Sequence, residues 1–105
     1  VMLHLKILDP CPTFVLEALS CGLPVVGLMN GGMPELVGNR AGILIPAVED
    51  FEQFRYPTPV QVANALLETK NNLQEFSKNA RNQTLKFDKE IWLKRHEEIF
   101  NKLLK

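Results

Sequence analysis

Three short apolar runs, at residues 1–7, 24–28 and 42–45, are separated by segments that each have room for one helix. That order leaves few folds open. Val1, Leu3, Leu5 and Ile7 alternate with Met2, His4 and Lys6, and a period of two argues a strand. Pro24-Val25-Val26-Gly27-Leu28 is apolar throughout, as a strand buried on both faces requires. Gly42-Ile43-Leu44-Ile45 is a third strand of that type, stopped by Pro46. Residues 12–21 read as a helix, with Pro12 suited to the first helical position and Gly22 to the exit. Asn30-Gly31-Gly32 is a turn signal, and residues 33–37 form a short helix that Gly38 ends. Strands joined through helices imply a parallel sheet covered on both faces.

Beyond residue 46 the pattern turns helical. Residues 46–57 form a connector, and Phe51, Phe54 and Tyr56 are expected to pin it to the body. Thr58-Pro59-Val60-Gln61 is a capping box, the clearest helix start in the chain. Val62, Ala63, Leu66 and Leu67 are the expected apolar face of that helix. Leu73, Phe76, Ala80 and Phe87 recur at helical spacing in the next element. Asp88 caps a last helix with the stripe Trp92, His96, Ile99 and Leu103, and Trp92 and Phe100 are expected to anchor it in a core or against another domain. The expected fold class is α/β: a partial Rossmann-like, three-layer parallel sheet over residues 1–46, with C-terminal helices over 58–105. Three buried-type strands leave apolar edges open, so the chain is expected to be part of a larger domain.

The charge pattern excludes some functions. Formal net charge is zero, and no basic field points to nucleic acid. No apolar run has the length of a membrane span. Cys11 and Cys21 form no CxxC pair, and His4 and His96 lie far apart, so the spacing of a metal site is missing. Both cysteines are expected to be small buried thiols. No metal or other cofactor is expected.

Asp9 and Glu17 are the candidates for chemistry. On a helical wheel Phe14, Val15, Ala18 and Leu19 share the core-facing arc, while Thr13, Glu17 and Ser20 share the polar one. Asp9 falls at the carboxyl end of the first strand, where open α/β sheets bind ligands. The N–H groups of Thr13, Phe14 and Val15 at a helix start suit a phosphate; Pro12 has none to offer. Glu17 can accept two hydrogen bonds from neighbouring hydroxyls such as a ribose diol. A plain account fits the same residues: Asp9 as a cap and Glu17 as an acid compensating the helix dipole. Two readings also stay open for Gly31-Gly32, as a ligand approach or a tight turn, and for Glu35, as a ligand-loop or first-turn acid. His4 is either a hydrogen-bond donor to a sugar or a satisfied strand histidine.

The stretch "DPCPTFVLEALSCGLPVVGLMNGGMPELVGNRAGILIP" resembles the donor-binding domain of GT-B glycosyltransferases of family 4, the group 1 family. Asp9 and Glu17 stand at the family's Glu, seven residues, Glu pattern. Gly22-Leu23-Pro24-Val25-Val26 matches its G-x-P-V-V strand, Gly31-Gly32-Met33-Pro34-Glu35 its Gly-Gly-x-x-Glu turn, and residues 41–46 the strand that follows. The strong match covers residues 1–46, with a looser one from Phe87-Asp88 to Leu104. The resemblance implies transfer of a hexose-type sugar from a nucleotide-sugar donor to a carbohydrate or lipid-linked acceptor, with retention. It implies that Glu17 contacts the donor ribose and that Asp9 lies by the donor sugar as the catalytic residue. Main-chain groups of Cys11, Thr13, Phe14 and Val15 would hold the sugar and diphosphate, with Gly31, Gly32 and Glu35 in a donor loop. Helix ends rather than a metal would stabilise the leaving diphosphate. The acceptor site would lie in an N-terminal domain outside these residues, so the chain alone is expected to be inactive. A cytoplasmic protein of carbohydrate biosynthesis is expected, peripheral to a membrane through that other domain.

The sequence departs from the family at three places. Asp9 is one methylene shorter than the usual Glu, Pro12 stands where Gly is common, and Leu5-Lys6 replaces a frequent Pro-Ser. The first two leave room for a non-catalytic Rossmann-like module that binds a nucleotide or a protein. A nucleotide-sugar epimerase of the same fold is a third reading, which the motif order fits less well.

Overall fold

A computed structural model describes residues 1–105. Three strands, β1 (Met2–His4), β2 (Val25–Met29) and β3 (Gly42–Pro46), form one parallel sheet in the order β1-β2-β3. Helix α1 (Thr13–Ser20) connects β1 to β2, and α2 (Met33–Val37) connects β2 to β3. Helices α3 (Pro59–Asn71) and α4 (Leu73–Thr84), a 3₁₀ turn (Leu85–Phe87) and α5 (Lys89–Leu103) complete the chain. The register runs Met2↔Val25 and Val25↔Gly42, so β2 is paired on both edges.

Successive side chains of β2 point to opposite faces. Val25 joins Val15, Leu19, Met33, Val37 and Ala80 on one side, from α1, α2 and α4. Val26 and Leu28 join Ile45 and Ala65 on the other, against α3. All three β2 residues are fully buried, and each contributes roughly 1.5–3 kcal/mol of transfer free energy. The expected α/β class with helices on both sheet faces is therefore present, and the unbroken apolar run has its cause in those two cores.

The expected capping box is also in place. Thr58 accepts from the Gln61 N–H at 3.2 Å, and the Gln61 side chain accepts from the Thr58 N–H at 2.8 Å. Asp88 caps α5 by accepting from the Glu90 N–H at 2.9 Å.

Several expectations need correction. The first strand is three residues long rather than seven. Leu8 has a positive φ of 54°, and its N–H donates to Asn30 Oδ1 at 3.1 Å, so the chain leaves the sheet after His4. Phe14 is 68% exposed rather than in the core; Val15, Ala18 and Leu19 fill the arc, with Leu16 half-buried beside them. On α3 the buried face is Val62, Ala65, Leu66 and Thr69, while Ala63 and Leu67 are exposed. Thr69 tolerates full burial because its hydroxyl donates to the Ala65 carbonyl at 2.8 Å. Phe51, Phe54 and Tyr56 are exposed, and the connector is tied instead by Glu49, which accepts from the Gly31 N–H at 3.1 Å. Cys11 and Cys21 are exposed free thiols. The α5 stripe buries no residue, and Trp92 is half-exposed, its ring 3.8 Å from that of His96 on the same helix. No helix is long and apolar enough to cross a membrane.

Candidate active site

Asp9 sits on the loop between β1 and α1 and is almost buried. Its Oδ2 lies 3.2 Å from Lys6 Nζ and 3.4 Å from His4 Nε2. Lys6 is thus paired with the candidate acid. Its side chain is mostly exposed, so the charge pair is screened and weak. His4 is largely buried, and its Nε2 lacks hydrogen-bond geometry to any acceptor. Asp9 Oδ1 accepts from no protein donor.

The loop is held from below by the turn after β2. Gly32 N–H donates to the Asp9 carbonyl at 2.9 Å. A Cβ on Gly31 would stand 2.4 Å from the Asp9 carbonyl oxygen, and one on Gly32 would stand 2.0 Å from that of Pro10. The two glycines therefore serve a backbone approach, and the backbone they admit is that of Asp9 and Pro10. Asn30 completes the support: it is buried and accepts from Leu8, while its own Nδ2 has no partner. Replacing Asn30 by leucine keeps the volume and strands the Leu8 N–H. A loss of about 1–3 kcal/mol is expected in urea unfolding; an unchanged midpoint would show that this bond holds nothing.

Helix α1 begins without a side-chain cap. Val15 N–H donates to the Pro12 carbonyl at 3.0 Å and its side chain is buried, so Val15 drops out of the expected donor set. The N–H groups of Cys11, Thr13 and Phe14 have no protein acceptor and remain open to a ligand.

Glu17 is exposed one turn further along. It lines a cleft of about 350 Å³ with Ser20, Arg81, Thr84 and Asp88. Arg81 donates to the Ser20 carbonyl at 2.9 Å, which fastens α4 to the end of α1. Glu35 faces a different cavity of about 630 Å³, shared with Cys11, Trp92 and Arg95. Leu16 and Phe87 line both and stand between them. Glu17 and Glu35 are therefore not brought together. The Glu35 and Leu36 carbonyls accept from Gln83, and Glu35 accepts also from Lys86, so this end of α2 is anchored by α4 and the 3₁₀ turn. No group of three His, Cys, Asp or Glu side chains is placed to hold a metal ion.

A family model described as "Glycosyl transferases group 1" matches residues 1–83. The chain belongs to that family. The match runs from β1 to Gln83, near the end of α4, so it includes the Asp9 loop, the Gly31-Gly32 turn and the Glu17 cleft wall. The group 1 domain thus ends its match at the residue that fastens α4 to α2, with α5 beyond it. No curated protein matches the chain significantly. Three contacts that hold these loops and helices have no signature in the sequence: those made by Asn30, Glu49 and Arg81. Asn30-Gly31-Gly32 was visible as a turn, but the contact from Asn30 to Leu8 spans 22 residues and has no local signature.

Proposed function

We propose that this chain is the donor side of a retaining glycosyltransferase that takes a nucleotide-sugar donor, most simply one carrying a hexose. The reading rests on family membership and on one geometric observation. A nearly buried carboxylate, Asp9, stands directly before a helix start whose Thr13 and Phe14 N–H groups are unspent. The diphosphate would sit at that helix start, where partial positive charge favours an anion and stabilises it as it leaves. Glu17 would accept from the ribose hydroxyls, and Asp9 Oδ1 from a hydroxyl of the sugar. Cys11 N–H adds a donor between them, and Gly31 and Gly32 act by holding the loop. No metal is called for in this scheme. The acceptor, a carbohydrate or lipid-linked sugar, would come from another domain. The second wall of the site would come from that domain too, so these 105 residues would transfer no sugar alone. The proposed setting is cytoplasmic, in carbohydrate biosynthesis.

The test uses the protein that carries this domain, titrated with a panel of nucleotide sugars. Glu17→Ala is expected to weaken binding of the preferred donor about 10–100-fold, the cost of losing hydrogen bonds to a charged group. Binding that survives the substitution unchanged would remove the ribose assignment. Absence of binding to every nucleotide sugar would favour a non-catalytic module, and release of free sugar without an acceptor would favour an epimerase.

A further inference from the structure

We infer that His4 is a positioning residue for Asp9, aiming the shortened carboxylate from the strand beneath it. The inference rests on the donor reading above, in which Asp9 Oδ1 meets the sugar.

His4 is the last residue of β1 and is paired in register with Gly27 of the doubly paired central strand. Asp9 sits on a loop. A donor mounted on a strand is a firmer reference than any donor the loop can supply. His4 Nε2 has almost no solvent contact and no hydrogen bond, yet it lies 3.4 Å from Asp9 Oδ2. A buried polar nitrogen without a partner is costly, and a small turn of the Asp9 side chain would supply one. Long or misaligned contacts of this kind tighten when substrate binds. Both close contacts are to Oδ2, so Oδ1 is the oxygen left for the sugar.

The two donors differ in worth. Lys6 reaches Oδ2 from solvent, with its side chain 68% exposed, whereas that of His4 is 14% exposed. Water and salt can replace Lys6; nothing replaces His4.

The test compares His4→Leu, His4→Gln and Lys6→Met in the full-length protein, with its preferred nucleotide sugar and with the matching nucleoside diphosphate. His4→Leu is expected to lower kcat about 10–100-fold while nucleoside diphosphate affinity stays within threefold of the parent. His4→Gln, which keeps an N–H at similar reach, is expected to recover most of the rate. Lys6→Met is expected to change kcat less than threefold. Circular dichroism and melting curves for each variant separate a folding defect from a loss of aim, and the glutamine variant supplies the comparison if the leucine variant does not fold. Unchanged kcat in His4→Leu, or equal loss of nucleoside diphosphate and nucleotide-sugar binding, overturns the inference and leaves the donor reading standing. A parent protein that uses no nucleotide sugar overturns both.

Discussion

Alanine at Gly32 is expected to lower the melting temperature by about 10–20 °C and to remove donor binding with it. Gly32 has an ordinary right-handed φ of −84°, so its backbone does not require glycine. Space does. An added Cβ would stand 2.0 Å from the Pro10 carbonyl oxygen and 2.9 Å from the carbonyl carbon. Both atoms belong to backbone, so no side-chain rotation relieves the clash. The loop must move away, and moving it breaks the 2.9 Å bond from Gly32 N–H to Asp9. Overpacking against backbone belongs at the upper end of the usual range, about 3 kcal/mol. Gly22→Asn is a suitable control. That position has a positive φ of 74°, which asparagine tolerates, and its nearest obstacle is the Ser77 hydroxyl at 3.1 Å. A Gly32→Ala protein melting within 2 °C of the parent would show that the close approach of the two loops is not a constraint.

Asparagine at Asp9 is expected to reduce kcat about 10²–10³-fold, the range seen when one preorganised electrostatic contact is removed. The substitution keeps the shape and discards the charge. Lys6 and His4 then lose the anion they face, and in the proposed site the sugar hydroxyl loses a charged acceptor. Affinity for the nucleoside diphosphate alone is expected to stay within threefold, because in the proposed site its contacts lie mainly on α1. Asp9→Glu is a separate and informative change. It lengthens the side chain and pushes the carboxylate past Lys6 and His4, which now face Oδ2. A shifted preference among donor sugars is expected, read from initial rates across a panel. Full activity in Asp9→Asn would take Asp9 out of the chemistry.

These predictions depend on features of unequal legibility. The parallel sheet was readable because an apolar run that carries no polar face, as at Val25-Val26, has few other uses. The capping box at Thr58 and Gln61 was readable because both partners lie within one helical turn. Glu17 on a polar stripe followed from helical geometry alone. Phe14 misled, because hydropathy says what a side chain prefers and not whether a neighbour exists to cover it; here it is 68% exposed. The aromatics of the connector failed for the same reason. Thr69 misled in the opposite direction, since its hydroxyl is satisfied on its own helix and the core accepts it.

Local spacing determined the order of strands and helices, the position of Glu17 and the start of α1, because these depend on contacts within a few residues. The family motifs, which are themselves local, determined the class of chemistry. Tertiary structure decided how Asp9 is held. His4 and Lys6 reach its carboxylate, Asn30 takes up the Leu8 N–H, and two glycines let one loop lie against the other. Tertiary structure also placed Glu17 and Glu35 in separate clefts. Most of these arrangements rest on contacts between segments that share no pattern in sequence. They exist only once the sheet has brought the ends of β1 and β2 side by side.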